Sequence, residues 1–278
     1  MPPADGSQPD EPIALRELAG SLARDAGQVA HAGRRAATTD GSLGATTKST
    51  GTDIVTQFDR AAEAEIVSRL RSTRPDDAIV GEEGTADAGT SGFAWLIDPI
   101  DGTTSFVYDL PTWCCSVAVA RDGMMLAGAV YVPALDELFD AALGDGARLN
   151  GRPIAPSGET ELGRALVGTG FSYFPDRRQA QGERLARIIG SVRDIRRMGS
   201  AAIDLCFVAA GRLDVYFEEY LNSWDSAAGE LIAREAGAIT SDFSGRRHED
   251  GEILVATPAL HAPFVDLLAA AMRDDHAM

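Results

Sequence analysis

Between residues 13 and 37, Leu15, Leu18, Leu22, Ala26, Val29 and Ala30 recur at the spacing of an apolar stripe on a helix. A polar stretch rich in glycine and threonine follows, TTDGSLGATTKSTGTD. Phe58, Ala62, Ile66 and Leu70 then restore the helical stripe, with Thr56 placed as an N-cap and Asp59 in the first turn. AIVGEE reads as a short strand ending in Glu82 and Glu83, residues 84–92 as a flexible loop, and FAWLI as the next strand. From there the period shortens towards two. WCCSVAVAR and MMLAGAVYV flank Asp122-Gly123 as a hairpin, and ELFDAAL and ARLNGRPI continue it around a Gly-Asp-Gly turn. Near residue 155 the texture changes to alternating strands and helices. RALVGTGF, DIRRM, LDVYFEE and ILVAT read as strands. Residues 177–190, SAAIDLCFVAAG, DSAAGELIAREAG and PALHAPFVDLLAAAMRD read as helices, the last with proline in its first turn.

This mixture predicts a layered α/β (α+β) architecture. Residues 1–12 are expected to form a disordered leader. An N-terminal α+β subdomain is expected over 13–154 and a C-terminal α/β subdomain over 155–278.

The chain has 278 residues, 45% of them apolar, which is enough for a full core. Its formal net charge of −17 argues against nucleic-acid binding through a basic face. Clustered acids attract divalent cations instead. Cys114, Cys115 and Cys206 show neither a disulfide framework nor a zinc spacing, and read as core thiols. The histidines His31, His248, His261 and His276 are scattered. The N-terminus lacks the basic and apolar regions of a signal peptide, and no apolar run reaches spanning length. A soluble, cytoplasmic protein with no membrane partner is expected.

The candidate chemistry lies in FAWLIDPIDGTTSF. Asp98 stands where an apolar strand emerges, and Pro99 is expected to end the ladder and bend the chain. A turn would then bring Asp101 beside Asp98. Two adjacent carboxylates repel unless a cation lies between them, and an all-oxygen set suits Mg²⁺. Gly102 admits close backbone approach, and a helix starting at Gly102–Thr103 would offer free N–H groups to an anion. On this fragment alone a strand-ending Asx turn is equally admissible. GEE at 81–83, Asp225 in WDSAAGE and Asp59 in DIVTQFD add three further acidic positions.

Taken in order, KSTGTDIVTQFD, VGEEG, WLIDPIDGTTSFVYDLP, RRMGSAAIDLCFVAAGRLDVYFE and WDSAAGELIAREAGA resemble the inositol monophosphatase family of Mg²⁺-dependent phosphatases along nearly the whole chain. The resemblance implies the αβαβα sandwich of the inositol monophosphatase and fructose-1,6-bisphosphatase type, usually dimeric, and inhibition by Li⁺. It implies two to three Mg²⁺ ions. One would be held by Glu82, Asp98 and the backbone carbonyl of Ile100, and a second by Asp98, Asp101 and Asp225. A weaker third would sit near Glu82, reached through water from Asp59. Gly102 and Thr103 would contact phosphate, beside Asp101. Thr103, paired with Asp59, and Glu82 would orient the attacking water. Gly199, Ser200, Ala201 and Glu218 would face a phosphorylated polyol such as inositol 1-phosphate.

The D-x-x-D-G-T spacing argues against the D-x-D aspartyl nucleophile of haloacid-dehalogenase phosphatases. Histidinol phosphate, fructose 1,6-bisphosphate and 3′-phosphoadenosine 5′-phosphate are alternative substrates within the superfamily. Glu218 would disfavour a second phosphate, although EEYLNSW departs from the glycine-containing stretch common in the family. An alternative of another class is a regulatory partner of the transcription machinery, a role some bacterial relatives have. Arg196 and Arg197 read as an interface or subdomain ion pair.

Overall fold

The computed structural model describes residues 11–40, 44–48, 54–247 and 251–273. Helix α1 (Glu11–Asp40) opens the described chain. Its first turn carries Glu11 and Pro12, which suit a helix start, so residues 11 and 12 belong to the helix and not to the expected leader. Residues 1–10 of that leader lie outside the described residues, as do His248 and His276.

A two-stranded ribbon, β1 (Thr46–Thr47) and β2 (Ile54–Val55), leads into α2 (Gln57–Thr73). The expected cap is present. Thr56 accepts from the Phe58 amide, and Asp59 closes a capping box on the Thr56 backbone N–H. Next come β3 (Ala78–Gly81), β4 (Ala86–Asp87), β5 (Phe93–Asp101) and the single-turn helix α3 (Thr103–Val107). The antiparallel run is β6 (Cys114–Arg121), β7 (Met124–Val132), β8 (Glu137–Ala142), β9 (Gly146–Leu149) and β10 (Arg152–Pro153). After residue 155 follow β11 (Leu166–Thr169), α4 (Pro175–Ile188), β12 (Asp194–Arg196), α5 (Ala201–Ala209) and β13 (Val215–Glu219). The chain closes with α6 (Ser223–Ala236), β14 (Ile239–Ser241), β15 (Glu252–Ala256) and α7 (Pro258–Arg273).

Two expectations shift. Helix α4 starts two residues early because Pro175 is preset for a first turn. Residues 84–92, expected as a flexible loop, are tied down. They carry β4, Thr90 and Ser91 donate to the Asp76 carbonyl, and the buried Glu63 accepts from the Glu83 and Thr85 amides.

The eight-stranded sheet runs β10-β9-β8-β7-β6-β5-β3-β4 and the five-stranded sheet β12-β11-β13-β15-β14. Their faces stack into five layers. The first core packs α1 and α2 on one face of the larger sheet, around Trp95, Ile97 and Phe106. The second fills the space between the sheets with α5 and α6. The third packs the outer face of the smaller sheet under α4 and α7 through Phe217, Phe264 and Ile188. The two outer layers bury one apolar face each and the three inner layers bury both, so the fold is the expected mixed α/β sandwich. Helix α6 crosses β7 so closely that a Cβ on Gly128 would stand 2.9 Å from the Ala228 Cα. Arg34, near the end of α1, donates to the Phe106 and Val107 carbonyls and so anchors α3. No helix among the described residues is long and apolar enough to cross a membrane.

Candidate active site

Strand β5 corrects one expectation. Pro99 does not end the ladder, and β5 remains paired through Asp101. Asp98 pairs with Ser116 and Asp101 with Cys114, so three steps on β5 span two on β6. This is a β-bulge. In a regular strand, residues three apart point to opposite faces, and the extra residue returns Asp101 to the side of Asp98. The proline sits at the bulge, where its missing N–H is tolerated.

Asp98 and Asp101 line a cavity of about 510 Å³ together with Glu82, Ile100, Gly102, Thr103 and Asp225. Gly199, Ser200, Ala201 and Glu218 line the same cavity from the smaller-sheet side. The sequence-predicted positions therefore converge, Asp59 excepted. Asp59 is wholly buried behind Thr103, whose Oγ1 lies 3.4 Å from Asp59 Oδ1 and 3.1 Å from the Ile100 carbonyl. The other Asp59 oxygen accepts from Thr56.

Several local features fix the donors. Asp98 Oδ1 accepts from the Ile100 amide at 3.0 Å. Asp101 Oδ2 accepts from Ser200 Oγ at 2.7 Å and the Ala202 amide at 2.8 Å. Ser200 also caps α5 through the Ile203 amide, so its hydroxyl ties α5 to the acidic strand. Asp225 is held in a capping box with Asn222 at the start of α6. Gly102 has φ +94°, and a Cβ there would lie 3.0 Å from both the Gly199 and Thr112 carbonyls. Only glycine fits that position without strain. Because α3 is a single turn, the expected anion cradle reduces to its free backbone N–H groups, with little helix dipole behind them.

Burial dominates the electrostatics. It raises the Asp98 carboxyl well above the usual range, assisted by the charges of Glu82, Asp101 and Asp225 and by a carboxyl–carboxyl contact with Glu82. Asp225 is raised by burial and then by Asp101. Asp101 is pushed up by burial to about 6, held from going higher by Ser200 and Ala202. Glu218, partly exposed in the cavity wall, is pushed up by desolvation to about 7 against the opposing hydrogen bond from the Tyr216 hydroxyl. Such acids are costly unless protonated or given a cation.

The buried Asp98, the partly exposed Glu82, Asp101 and Asp225, and the Ile100 carbonyl make an all-oxygen donor set, which fits a hard divalent cation. Among the described residues no three acidic, histidine or cysteine side chains are gathered into a ready-made cage, so the fit rests on the donor chemistry and the shared cavity.

Sequence reasoning missed several cavity residues. Lys48 donates to Glu82 at 2.9 Å and to Glu83, and these acids raise its pKa against the opposing effect of burial. It stands in KSTGTD, quoted above without a role. Arg177, lying over the Phe174 and Tyr220 rings, lines the mouth. Arg197 lines the cavity too, whereas Arg196 pairs within its own strand with Asp194 at 2.6 Å. Asp204 was unseen because it lies in an otherwise apolar helix. A lone acid in such a run is the signal that could have found it.

The layered α/β sandwich and its acid-lined cavity place the chain among phosphatases. The model of the inositol monophosphatase family matches residues 14–273, and the chain belongs to that family. An inositol-1-monophosphatase SuhB of Mycobacterium tuberculosis is 42% identical over 96% of this chain and 97% of its own. A Nus factor SuhB of Pasteurella multocida is 39% identical over 84% and 88%. A solved inositol monophosphatase from Thermotoga maritima superposes with a TM-score of 0.83 at 31% identity, covering 94% of this chain and 99% of that one.

Proposed function

We propose that the protein is a Mg²⁺-dependent phosphomonoesterase acting on inositol 1-phosphate and related polyol monophosphates. The observation that carries this reading is the convergence of Glu82, Asp98, Asp101 and Asp225 on one cavity beside the Gly102–Thr103 turn. Glu82, Asp98, Asp101, Asp225 and the Ile100 carbonyl would hold the cations, two to three in number. Bound there, Mg²⁺ would neutralise the phosphate and increase the acidity of a coordinated water.

The chain's own residues do the rest. Gly102 brings the backbone close to the phosphate, and the free N–H groups of α3 donate to its oxygens. The Thr103 hydroxyl donates a hydrogen bond to the Ile100 carbonyl or to Asp59, which leaves its lone pairs to accept from the attacking water and orient it. Glu82 supplies a second acceptor for that water. Ser200 steadies Asp101, and Gly199, Ser200 and Ala201 form the wall against which the polyol lies. Glu218 accepts from vicinal hydroxyls of the leaving group and repels a second phosphate. A cytoplasmic homodimer, with subdomains dividing near residue 155 and no nucleic-acid or membrane partner, completes the reading.

The test is phosphate release from inositol 1-phosphate, fructose 1,6-bisphosphate, histidinol phosphate and 3′-phosphoadenosine 5′-phosphate, with Mg²⁺, with EDTA and with Li⁺. Activity on inositol 1-phosphate that EDTA abolishes, Mg²⁺ restores and Li⁺ inhibits is expected. Full activity in EDTA sinks the metal assignment, and a stronger rate on another substrate replaces the polyol.

The name of the Pasteurella multocida relative favours a second reading, a regulatory partner of the transcription machinery. Capture of transcription-machinery proteins from cell extract by an Asp101→Asn variant without phosphatase activity would support it.

A further inference from the structure

The cavity holds more acid than cation binding uses. Glu219, also in its wall, is paired with Arg184 at 3.0 Å. Asp204 and Glu218 are left. Asp204 is 2% exposed on α5 and lines the cavity. Its Oδ1 lies 3.2 Å from the position a Cβ on Gly168 would take, so β11 closes over it. Among the described residues that oxygen has no hydrogen-bond partner. The carboxyl accepts from the Met198 backbone N–H.

An orphaned buried acceptor calls for a ligand or a water. Burial raises the Asp204 carboxyl well above the usual range; of the charged groups facing it, Glu218 and Asp101 add to that rise and Arg197 on the exposed rim opposes it. Beside it, Glu218 receives the Tyr216 phenol and nothing else among the described residues. Two carboxyls with no ion pair among the described residues thus line the cavity beside Asp101.

We propose that Asp204 is a specificity-determining residue which, with Glu218, binds a protonated amine on the leaving group. The site would then take amino-alcohol and amino-polyol monophosphates ahead of their neutral counterparts. This rests on the phosphomonoesterase reading above. The donor count favours an amine. An ammonium offers three donors and no acceptor, matching an orphaned oxygen and a carboxylate that has only one donor. A hydroxyl in the same place offers one donor and leaves an acceptor unmet. The positive charge also removes the like-charge cost between the two acids.

The test compares 2-aminopropane-1,3-diol monophosphate with glycerol 1-phosphate, which differ only in amine against hydroxyl. The wild type should favour the amine in kcat/KM by about tenfold or more, the difference between a charge-assisted and a neutral hydrogen bond. Asp204→Asn, nearly isosteric, should bring the ratio to within about twofold, chiefly through KM. A wild type without preference overturns the proposal whether or not the variant folds. So does an unchanged ratio in a variant with a native circular dichroism spectrum.

If neither ester is hydrolysed, the phosphomonoesterase reading falls while calorimetry still decides this one. Free 2-aminopropane-1,3-diol should bind the wild type about tenfold more tightly than glycerol, and the Asp204→Asn variant without that margin. Equal binding overturns it.

Discussion

Gly170→Ala tests the position of Glu218 without touching its charge. Gly170 is buried just after β11, and its backbone is not in the left-handed region, so alanine is conformationally acceptable there. The new Cβ would stand 1.9 Å from Glu218 Oε2, 2.0 Å from its Cδ and 2.1 Å from Oε1. An ordinary contact needs about 3.5 Å, so the carboxylate must withdraw by roughly 1.5 Å. That movement breaks the Tyr216–Glu218 hydrogen bond. Misplacing a substrate-holding group by about 1 Å costs on the order of 10²-fold, which corresponds to about 2.7 kcal/mol of transition-state stabilisation. Overpacking and the lost hydrogen bond together should cost about 1–3 kcal/mol of stability.

The assay is kcat/KM for inositol 1-phosphate beside urea denaturation. Gly182→Ala serves as the control. That position is exposed in α4 and has no atom within 4 Å of a new Cβ, so it should gain up to about 1 kcal/mol without altering turnover. A Gly170→Ala enzyme within twofold of wild type would remove Glu218 from the substrate wall.

Asp101→Asn and Asp225→Asn should each lower turnover by several orders of magnitude while keeping a native circular dichroism spectrum; near-wild-type phosphate release in either one refutes its place among the cation ligands. Thr103→Ala should lower kcat more than it raises KM, and Thr103→Ser should recover most of the loss, because the hydroxyl orients water; an effect confined to KM would make it only a phosphate contact. Burial raises Glu218 to about 7, so the folded chain binds that proton more tightly than the unfolded chain does. The stability this contributes is present below the ordinary carboxylate range and is lost as pH rises through about 7. In chelator, the melting temperature should therefore fall more steeply between about pH 5 and pH 8 for wild type than for Glu218→Gln, and parallel profiles would contradict the assignment.

The fold was legible where one local signal sufficed. Thr56 and Asp59 announce the start of α2, and the paired apolar runs around Asp122-Gly123 announce a hairpin. The acidic cluster was legible because its spacing is distinctive. The bulge was not, since Pro99 reads as a strand end unless the partner strand is known, and β6 supplies that partner. Asp204 and Lys48 escaped because their meaning is tertiary: one is an acid in an apolar helix, the other a lysine bridging two glutamates more than thirty positions away. Tying residues 84–92 likewise depends on Glu63, a side chain from a different helix.

The adjacent thiols of β6 have a use unrelated to catalysis. Successive strand residues face opposite ways, and Cys114 lies in the core between the sheets while Cys115 lies in the core beneath α1. Cys206 joins the first of these, and all three thiols are buried. Burial raises their pKa values, Cys115 to about 12, so the folded protein offers almost no thiolate to an alkylating reagent. Modification then proceeds only through opening events. Mass spectrometry of timed alkylation, resolving Cys115 from Cys114, would record on one dipeptide whether the α1 layer lifts before the two sheets part. The sandwich carries its own clock for the order in which its layers separate.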